Sequence, residues 1–143
     1  MNYQELLEKI SKEVLLYEGV GKVADYIPEL AKVSPHHFGI CLDTVDGEQF
    51  SIGDAHIPFS IQSISKVFAL AMCLSKKGED LWQRVGKEPS GTAFNSLVQL
   101  EFERGVPRNP FINAGALVLA DIILTSFENP EQAFLSFVCE LSG

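Results

Sequence analysis

The spacing of apolar residues predicts that the chain begins with an amphipathic helix. Its apolar positions recur at helical intervals and comprise Leu6, Leu7, Ile10, Val14 and Leu15. Asn2 stands three residues before Glu5, which is the spacing of a capping box and predicts where the helix starts. Gly19 and Gly21 are expected to end it. A shorter helical piece follows over residues 23–31, either interrupted or opened anew by Pro28.

The next segment alternates between apolar and small or polar residues, which predicts a β-hairpin over residues 38–52. Asp46-Gly47 lies between the two alternating runs and is a dipeptide favoured in tight primed turns. An isolated hairpin is marginally stable in water. We therefore expect its strands to belong to a larger sheet, although no further strand is evident after residue 60.

The remainder of the chain has the pattern of a helical protein. A long apolar run over residues 63–74 predicts a helix that is central and buried, ended by Lys76, Lys77 and Gly78. Residues 85–110 are rich in glycine and proline and predict loops, with a short helical piece over 94–98. Further helices are predicted over 113–126 and, after a cap at Asn129, over 130–141. The predicted fold class is α+β and mostly helical, in one domain over residues 1–143.

Composition and charge narrow the range of partners. The chain of 143 residues carries 19 acidic and 11 basic residues, a formal net charge of −8, which disfavours nucleic acid and anionic membrane. The apolar stretches are too short or too polar to span a bilayer, so no membrane partner is expected. Cys41, Cys73 and Cys139 lack the spacing of a disulfide framework or a zinc site. Free thiols and the absence of a secretory signal at the N-terminus predict a cytoplasmic protein.

Ser63 and Lys66 form the one S-x-x-K pair of the chain, at the start of the most apolar predicted helix. Three-residue spacing on a helix places both side chains on one face, within hydrogen-bonding reach. A serine hydroxyl needs an adjacent base to become a good nucleophile, and a lysine among apolar neighbours can be that base. The N–H of Ser63 at the helix start would serve an oxyanion hole. Such a pair also arises by chance. In that alternative the pair has no catalytic role, and Lys66 is an exposed lysine on a solvated helix edge.

Four segments resemble the serine-dependent glutaminases, in the order in which that family has them. They are residues 21–30 (GKVADYIPEL), 59–68 (FSIQSISKVF), 88–95 (EPSG followed by FN) and 108–116 (RNPFINAGA). The family is related in fold to the serine β-lactamases and penicillin-binding proteins. The resemblance therefore implies a β-lactamase-like fold, in which the N-terminal hairpin would belong to a larger antiparallel sheet.

The resemblance also implies a reaction and a set of site residues. L-Glutamine would be hydrolysed to L-glutamate and ammonia through an acyl-enzyme, with Ser63 as the nucleophile and Lys66 as its base. Asn113 matches a residue that binds the amino-acid end of the substrate, and Tyr26 and Gln62 match positions that line the substrate pocket. No metal or organic cofactor is implied.

Simpler roles are open for several of these residues. Asn113 is also suited to cap the helix that follows it, and Tyr26 to fill a core position. Gly115 is expected to allow close helix packing. His36 and His37 are adjacent, so on a strand they would point to opposite faces, and we expect ordinary surface histidines there instead of a metal site.

The family's domain is about twice as long as this chain, so we expect residues 1–143 to be the N-terminal portion of a single glutaminase-like domain. Such a portion would expose apolar surface along 67–74 or 111–127, which predicts a homo-oligomer or association with the missing C-terminal half. Two alternatives stay open. One is another β-lactamase-like serine acyl-transfer hydrolase, although the S-D-N and K-T-G signatures are absent here. The other is a non-enzymatic interaction module in which the Ser63 helix is only core.

Overall fold

The computed structural model describes residues 2–142 and, at Gln99, the backbone only. The chain divides into two units, residues 1–60 and 61–143. The first holds two helices and a hairpin, and the second is helical, so the predicted mixture of a hairpin and mostly helices is confirmed. Within residues 2–142 no helix has the length and apolar character needed to cross a bilayer.

Helix α1 (Tyr3–Leu15) packs on the hairpin of the first unit. The side chain of Asn2 accepts a hydrogen bond from the Glu5 N–H at 3.3 Å, so the predicted cap is confirmed. The ring of Tyr3 lies 5.5 Å from that of Phe50, and Leu7 is fully buried. Helix α2 (Pro28–Ala31) begins at its proline, which therefore opens a helix and interrupts none.

The hairpin pairs β1 (Gly39–Asp43) with β2 (Gln49–Gly53) in antiparallel register, as predicted. Its turn is wider than the predicted primed turn, because the Thr44 N–H donates to the Glu48 carbonyl and closes a longer loop. Gly47 is the one turn residue with a positive φ, 84°, whereas a primed type I turn needs two. The two strands form the one sheet of residues 2–142, and the larger sheet is not shown there.

In the second unit, α3 (Ser65–Lys77) packs against α5 (Asn113–Ser126) and α6 (Pro130–Ser142). A short helix α4 (Val98–Phe102) precedes α5. Two 3₁₀-helices, Gln62–Ile64 and Gly78–Gln83, flank α3. The buried core between these elements consists of Met72, Cys73, Leu81, Val85, Leu119, Ile122 and Ile123.

Helix boundaries in the second unit agree with the sequence at most ends and differ at two. The predicted helix over 63–74 begins as a 3₁₀ turn and becomes α-helical only at Ser65. Gly78, with φ 54°, ends α3 as expected. The helical piece predicted over 94–98 is wrong. Residues 93–96 form a single turn, and the helix lies four residues later, where Gly105 with φ 82° supplies the left-handed residue that ends it.

The helix predicted over 63–74 is central, since α3 packs on both α5 and α6, but the prediction that it is buried is wrong. Of α3 only Met72 and Cys73 are buried, and Val67 is 54% exposed. Along α5, the residues Leu117, Ala120 and Leu124 are exposed and lie three or four positions apart, so they share one face. We call these three residues the exposed α5 face. Apolar surface is thus present on the two segments where the sequence predicts it.

Gly115 in the first turns of α5 allows the helix to lie directly against the loop before it. A Cβ at this position would meet the carbonyl oxygen of Asn109 at 2.0 Å and the Cα of Pro110 at 2.8 Å. The expectation of close packing at Gly115 is therefore confirmed, although the neighbour is loop backbone and not another helix.

We predict that Gly115→Ala destabilises the second unit by about 3 kcal/mol or more, because backbone atoms cannot yield to a Cβ at such distances. The intrinsic helix preference for Ala over Gly, about 1 kcal/mol, is too small to offset the clash. Thermal and urea unfolding would measure the loss. Gly91→Ala is the matched control, because no atom lies within 4 Å of its built Cβ. Equal stability of the two variants would contradict the prediction.

Cys73 illustrates how burial in this core changes side-chain chemistry. Its thiol donates to the Leu119 carbonyl at 3.4 Å and is 1% exposed, whereas Cys41 and Cys139 are exposed. Burial raises the pKa of the Cys73 thiol to about 11, because the thiolate is disfavoured away from water.

We predict that, at pH 8, Ellman's reagent labels two thiols of the folded chain rapidly and the third only after unfolding, since the thiolate is the reactive species. A Cys41→Ser/Cys139→Ser variant, which keeps only Cys73, should then react at the rate of global unfolding or slower. Rapid labelling of that variant under native conditions would contradict the burial of Cys73.

Candidate active site

The Lys66 side chain is the point at which two loops of the second unit meet helix α3. Lys66 lies in the first turn of α3 and is half-buried. Its Nζ donates to the Phe111 carbonyl oxygen at 3.0 Å and to Asn113 Oδ1 at 2.8 Å. The same Nζ lies 5.9 Å from the centroid of the Phe94 ring, within cation–π range. The alternative of a lysine on a fully solvated helix edge is therefore wrong.

The loop segments around Lys66 are held by backbone hydrogen bonds. The Asn113 N–H donates to the Phe94 carbonyl at 2.8 Å, which ties the start of α5 to the preceding loop. The Asn109 side-chain oxygen accepts from the N–H groups of Phe111 and Ile112. Both acceptors of the Lys66 amine therefore belong to a segment whose backbone is itself fixed.

Asn113 does not cap α5, which was the alternative role expected for it. The N-cap position is Ile112, and no side chain caps the helix there. Asn113 is instead the first helical residue, and its Oδ1 is the acceptor for Lys66. Its Nδ2 makes no hydrogen bond within residues 2–142 and remains available as a donor.

Ser63 lies on the 3₁₀ turn directly before α3 and is exposed. Its hydroxyl makes no hydrogen bond to any residue that the structure describes, so the expected Ser63–Lys66 bond is not formed. The physical reason is that the Lys66 amine is turned towards Phe111 and Asn113. Catalytic hydrogen bonds are often long before a substrate binds, so the spacing of one helical turn keeps the two groups compatible with proton transfer.

Gln62, directly before Ser63, has a backbone conformation that is rare for a residue with a side chain. Its φ is 41°, and of the non-glycine residues described only Arg104 shares a positive φ. Such conformations cost of the order of 1–3 kcal/mol and persist where the surroundings impose them, most often at functional sites. The Gln62 side chain is exposed.

Tyr26 belongs to the first unit, in the segment before α2, and its side chain is 76% exposed. The alternative of a core aromatic is therefore wrong, since the side chain is not packed in a core. In the same unit, His36 Nδ1 lies 2.9 Å from Glu18 Oε1, an exposed pair. No three His, Cys, Asp or Glu side chains within residues 2–142 are grouped to hold a metal ion.

Sequence reasoning missed two partners of Lys66, the Phe111 carbonyl and the Phe94 ring. A backbone acceptor leaves no trace in residue type, so its presence could not be predicted from composition or spacing. The ring does leave a signal, because Phe94 lies in one of the four segments that resemble the glutaminases, but the resemblance gave it no role.

The geometry at Lys66 fixes the direction in which the amine can act as a base. A neutral amine has two N–H donors and one lone pair, at roughly tetrahedral angles. If Phe111 and Asn113 take both donors, the lone pair points in the one remaining direction. The arrangement can therefore accept a proton from a single side.

Comparison with known proteins places these features in a family. The family model for glutaminase matches residues 21–143. A glutaminase of Rhizobium leguminosarum bv. trifolii is 61% identical over 121 residues, which cover 85% of this chain and 39% of the relative. A glutaminase of Ralstonia nicotianae is 55% identical over 141 residues, covering 99% of this chain and 46% of the relative. The chain therefore spans less than half the length of these relatives.

Solved structures agree with the sequence comparison. A probable glutaminase, ybaS, superposes with a TM-score of 0.87 at 32% identity, over 100% of this chain and 48% of that one. The structure of Mglu in its tris and glutamate form gives a TM-score of 0.72 at 41% identity, over 83% of this chain and 26% of that chain. The resemblance predicted from four sequence segments is confirmed, and the protein belongs to the glutaminase family.

Proposed function

We propose that the protein takes part in the hydrolysis of L-glutamine to L-glutamate and ammonia, with Ser63 as the nucleophile. One observation carries the proposal: the Lys66 amine, one helical turn from Ser63, is held by the Phe111 carbonyl and Asn113 Oδ1. Membership of the glutaminase family supports the choice of substrate.

In the proposed reaction, Ser63 Oγ attacks the side-chain amide carbon of glutamine while the neutral Lys66 amine takes the hydroxyl proton. The tetrahedral intermediate collapses, the C–N bond breaks, and the Lys66 ammonium returns the proton to the leaving nitrogen, which departs as ammonia. Water then attacks the acyl-enzyme with Lys66 again as base, releases glutamate and restores Ser63. Every proton is thus transferred through the Lys66 amine, and the proposed steps use no metal or organic cofactor.

The substrate contacts are proposed from the unused donors of the site. Asn113 Oδ1 accepts from Lys66 Nζ, which leaves Asn113 Nδ2 to donate to the carboxylate at the amino-acid end of glutamine. Gln62 and Tyr26 are proposed to line the substrate pocket because both lie in segments that resemble the glutaminases. The backbone N–H of Ser63 is proposed as one donor of the oxyanion hole.

The setting of the reaction is proposed to be the cytoplasm. Cys41 and Cys139 are exposed free thiols, a state that a reducing compartment maintains.

We predict that Ser63→Ala abolishes ammonia release from L-glutamine, a loss of at least about 10³-fold, because no other hydroxyl occupies the nucleophile position. Lys66→Arg should lose activity to a similar degree, since a guanidinium keeps the positive charge but does not give up its proton. A coupled glutamate dehydrogenase assay, with circular dichroism to check folding, would measure both variants.

Ser75→Ala is the matched control, because Ser75 lies near the other end of α3 and its hydroxyl bonds only the Met72 carbonyl. It should retain the activity of the parent chain. Turnover that survives Ser63→Ala would contradict the assignment of the nucleophile. A parent chain without turnover would contradict autonomous activity of these 143 residues, and the assay would then be repeated with the remaining part of a relative added.

We further propose that residues 1–143 form part of one glutaminase catalytic domain with a larger antiparallel sheet, and that the second unit associates through its apolar surface. The exposed α5 face adjoins an open groove of about 350 Å³, lined by Ala69, Ala116, Ile123 and Phe134 among others. Its occupant is a second copy of the chain or the polypeptide that the relatives have beyond the shared part. Burying this surface would be favourable by about 25 cal/mol per Å².

We predict that Leu117→Glu/Leu124→Glu weakens this association, because two charges would have to be buried in an apolar interface. Sedimentation velocity over a range of concentrations would measure self-association, and titration with the C-terminal portion of a relative would measure the alternative. Leu16→Glu, which alters an 81% exposed residue of the first unit, is the control. A chain that stays monomeric and binds no C-terminal portion would contradict the proposal.

A further inference from the structure

We propose that Asn109 is a positioning residue for Lys66, which it never touches. This inference rests on the proposed role of Lys66 as the base. The single feature behind it is one peptide group, between Phe111 and Ile112, that is held at both ends. Its carbonyl oxygen accepts from Lys66 Nζ at 3.0 Å, and its N–H donates to Asn109 Oδ1 at 3.2 Å.

Because the peptide group is rigid, a hydrogen bond at one of its ends restrains the orientation of the other end. The C=O and N–H of a trans peptide lie in one plane and point in opposite directions. Asn109 and Lys66 therefore lie on opposite edges of the same plane. Rotation of that plane would swing the Phe111 oxygen away from Lys66 Nζ, and the bond to Asn109 opposes this rotation.

The local sequence explains why Asn109 takes this role. Pro110 has no N–H, so the first backbone donors that the Asn109 side chain can reach are those of Phe111 and Ile112. It accepts from both, at 3.0 and 3.2 Å. Its Nδ2 donates in turn to the Glu88 carbonyl at 2.9 Å, which anchors the side chain to a second loop.

The backbone of Asn109 is itself confined on two sides. The neighbouring loop pairs with it, since the Gly86 N–H donates to the Pro107 carbonyl and the Glu88 N–H to the Arg108 carbonyl, both at 2.8 Å. On the other side, the Asn109 carbonyl oxygen lies close to the backbone of Gly115, only 2.0 Å from the position that a Cβ of that residue would take. Asn109 is thus held in place, and through its bond to the Ile112 N–H it orients the peptide plane between Phe111 and Ile112.

The acceptor atoms of Asn109, and not its bulk, should carry the effect. Asn109→Ala removes both acceptors and frees the peptide plane. Asn109→Asp keeps an oxygen for the two N–H groups, but it replaces the donor to Glu88 with a second oxygen and adds a negative charge. Asn129→Ala is the matched control, because Asn129 accepts in the same way from the Gln132 N–H at the start of α6.

The test measures Lys66 directly in the full chain, by ¹H–¹⁵N correlation of the lysine side-chain ammonium groups, with Lys66→Arg to assign the signal. We expect Asn109→Ala to shift the Lys66 signal more than that of any other lysine, Asn109→Asp to shift it less than Asn109→Ala does, and Asn129→Ala to leave it unchanged. Where turnover is measurable, kcat should fall about 10–100-fold in Asn109→Ala, with KM within twofold of the parent.

A Lys66 signal that stays in place in Asn109→Ala, with a loss of stability similar to that of Asn129→Ala, would overturn the proposal and leave Asn109 a structural turn residue. The spectrum does not require activity, so a chain without turnover contradicts the proposed function and leaves this test intact. If Asn109→Ala does not fold, Asn109→Ser, whose shorter hydroxyl can still accept one bond, replaces it, and a smaller shift of the Lys66 signal is then expected.

Discussion

The second unit is organised around a cation that two carbonyl-type oxygens hold at the start of a helix. Lys66 joins α3 to the loop that leads into α5, through the Phe111 carbonyl and Asn113 Oδ1. A half-buried ammonium needs such acceptors, because an unpaired charge removed from water is costly. The surrounding constraints serve the same contact: Gly115 lets α5 approach its own loop, and Asn113 is tied to Phe94 by its N–H. Without the lysine, the two oxygens that converge there would lack their common donor.

The same contact shows what the structure adds to the S-x-x-K spacing, which is a weak signal by itself. Any S-x-x-K pair places a serine and a lysine one helical turn apart. In this chain the Lys66 amine is held by two acceptors, so a proton can be exchanged only in its third tetrahedral direction. The positive φ of Gln62 fixes the backbone next to Ser63 in a comparable way. Groups held in place in advance reduce the reorganisation that a reaction requires, which is what the proposed function would need.

Much of the fold could be predicted from sequence, because helix limits depend on local chemistry. Asn2, Gly78 and Asn129 each act within one turn of their own position, and the helix ends that they mark were predicted correctly. Burial was predicted less well, since the apolar residues of α5 do not reveal which neighbours are present to cover them. The site followed the same division. The S-x-x-K spacing made Ser63 and Lys66 candidates, and the structure adds the Phe111 carbonyl as a partner of Lys66. That partner could not be predicted, because a backbone oxygen belongs to every residue type and its position depends on tertiary structure.

The compact spacing of the site has a consequence for biosynthesis. All the partners of Lys66 in the described part of the chain lie within the 47 residues that follow it, between Phe94 and Asn113. Chains emerge from the ribosome at about 5–20 residues per second, and their N-terminal parts begin to fold first. Lys66, its two acceptors and the aromatic ring beside it therefore leave the ribosome within several seconds of one another.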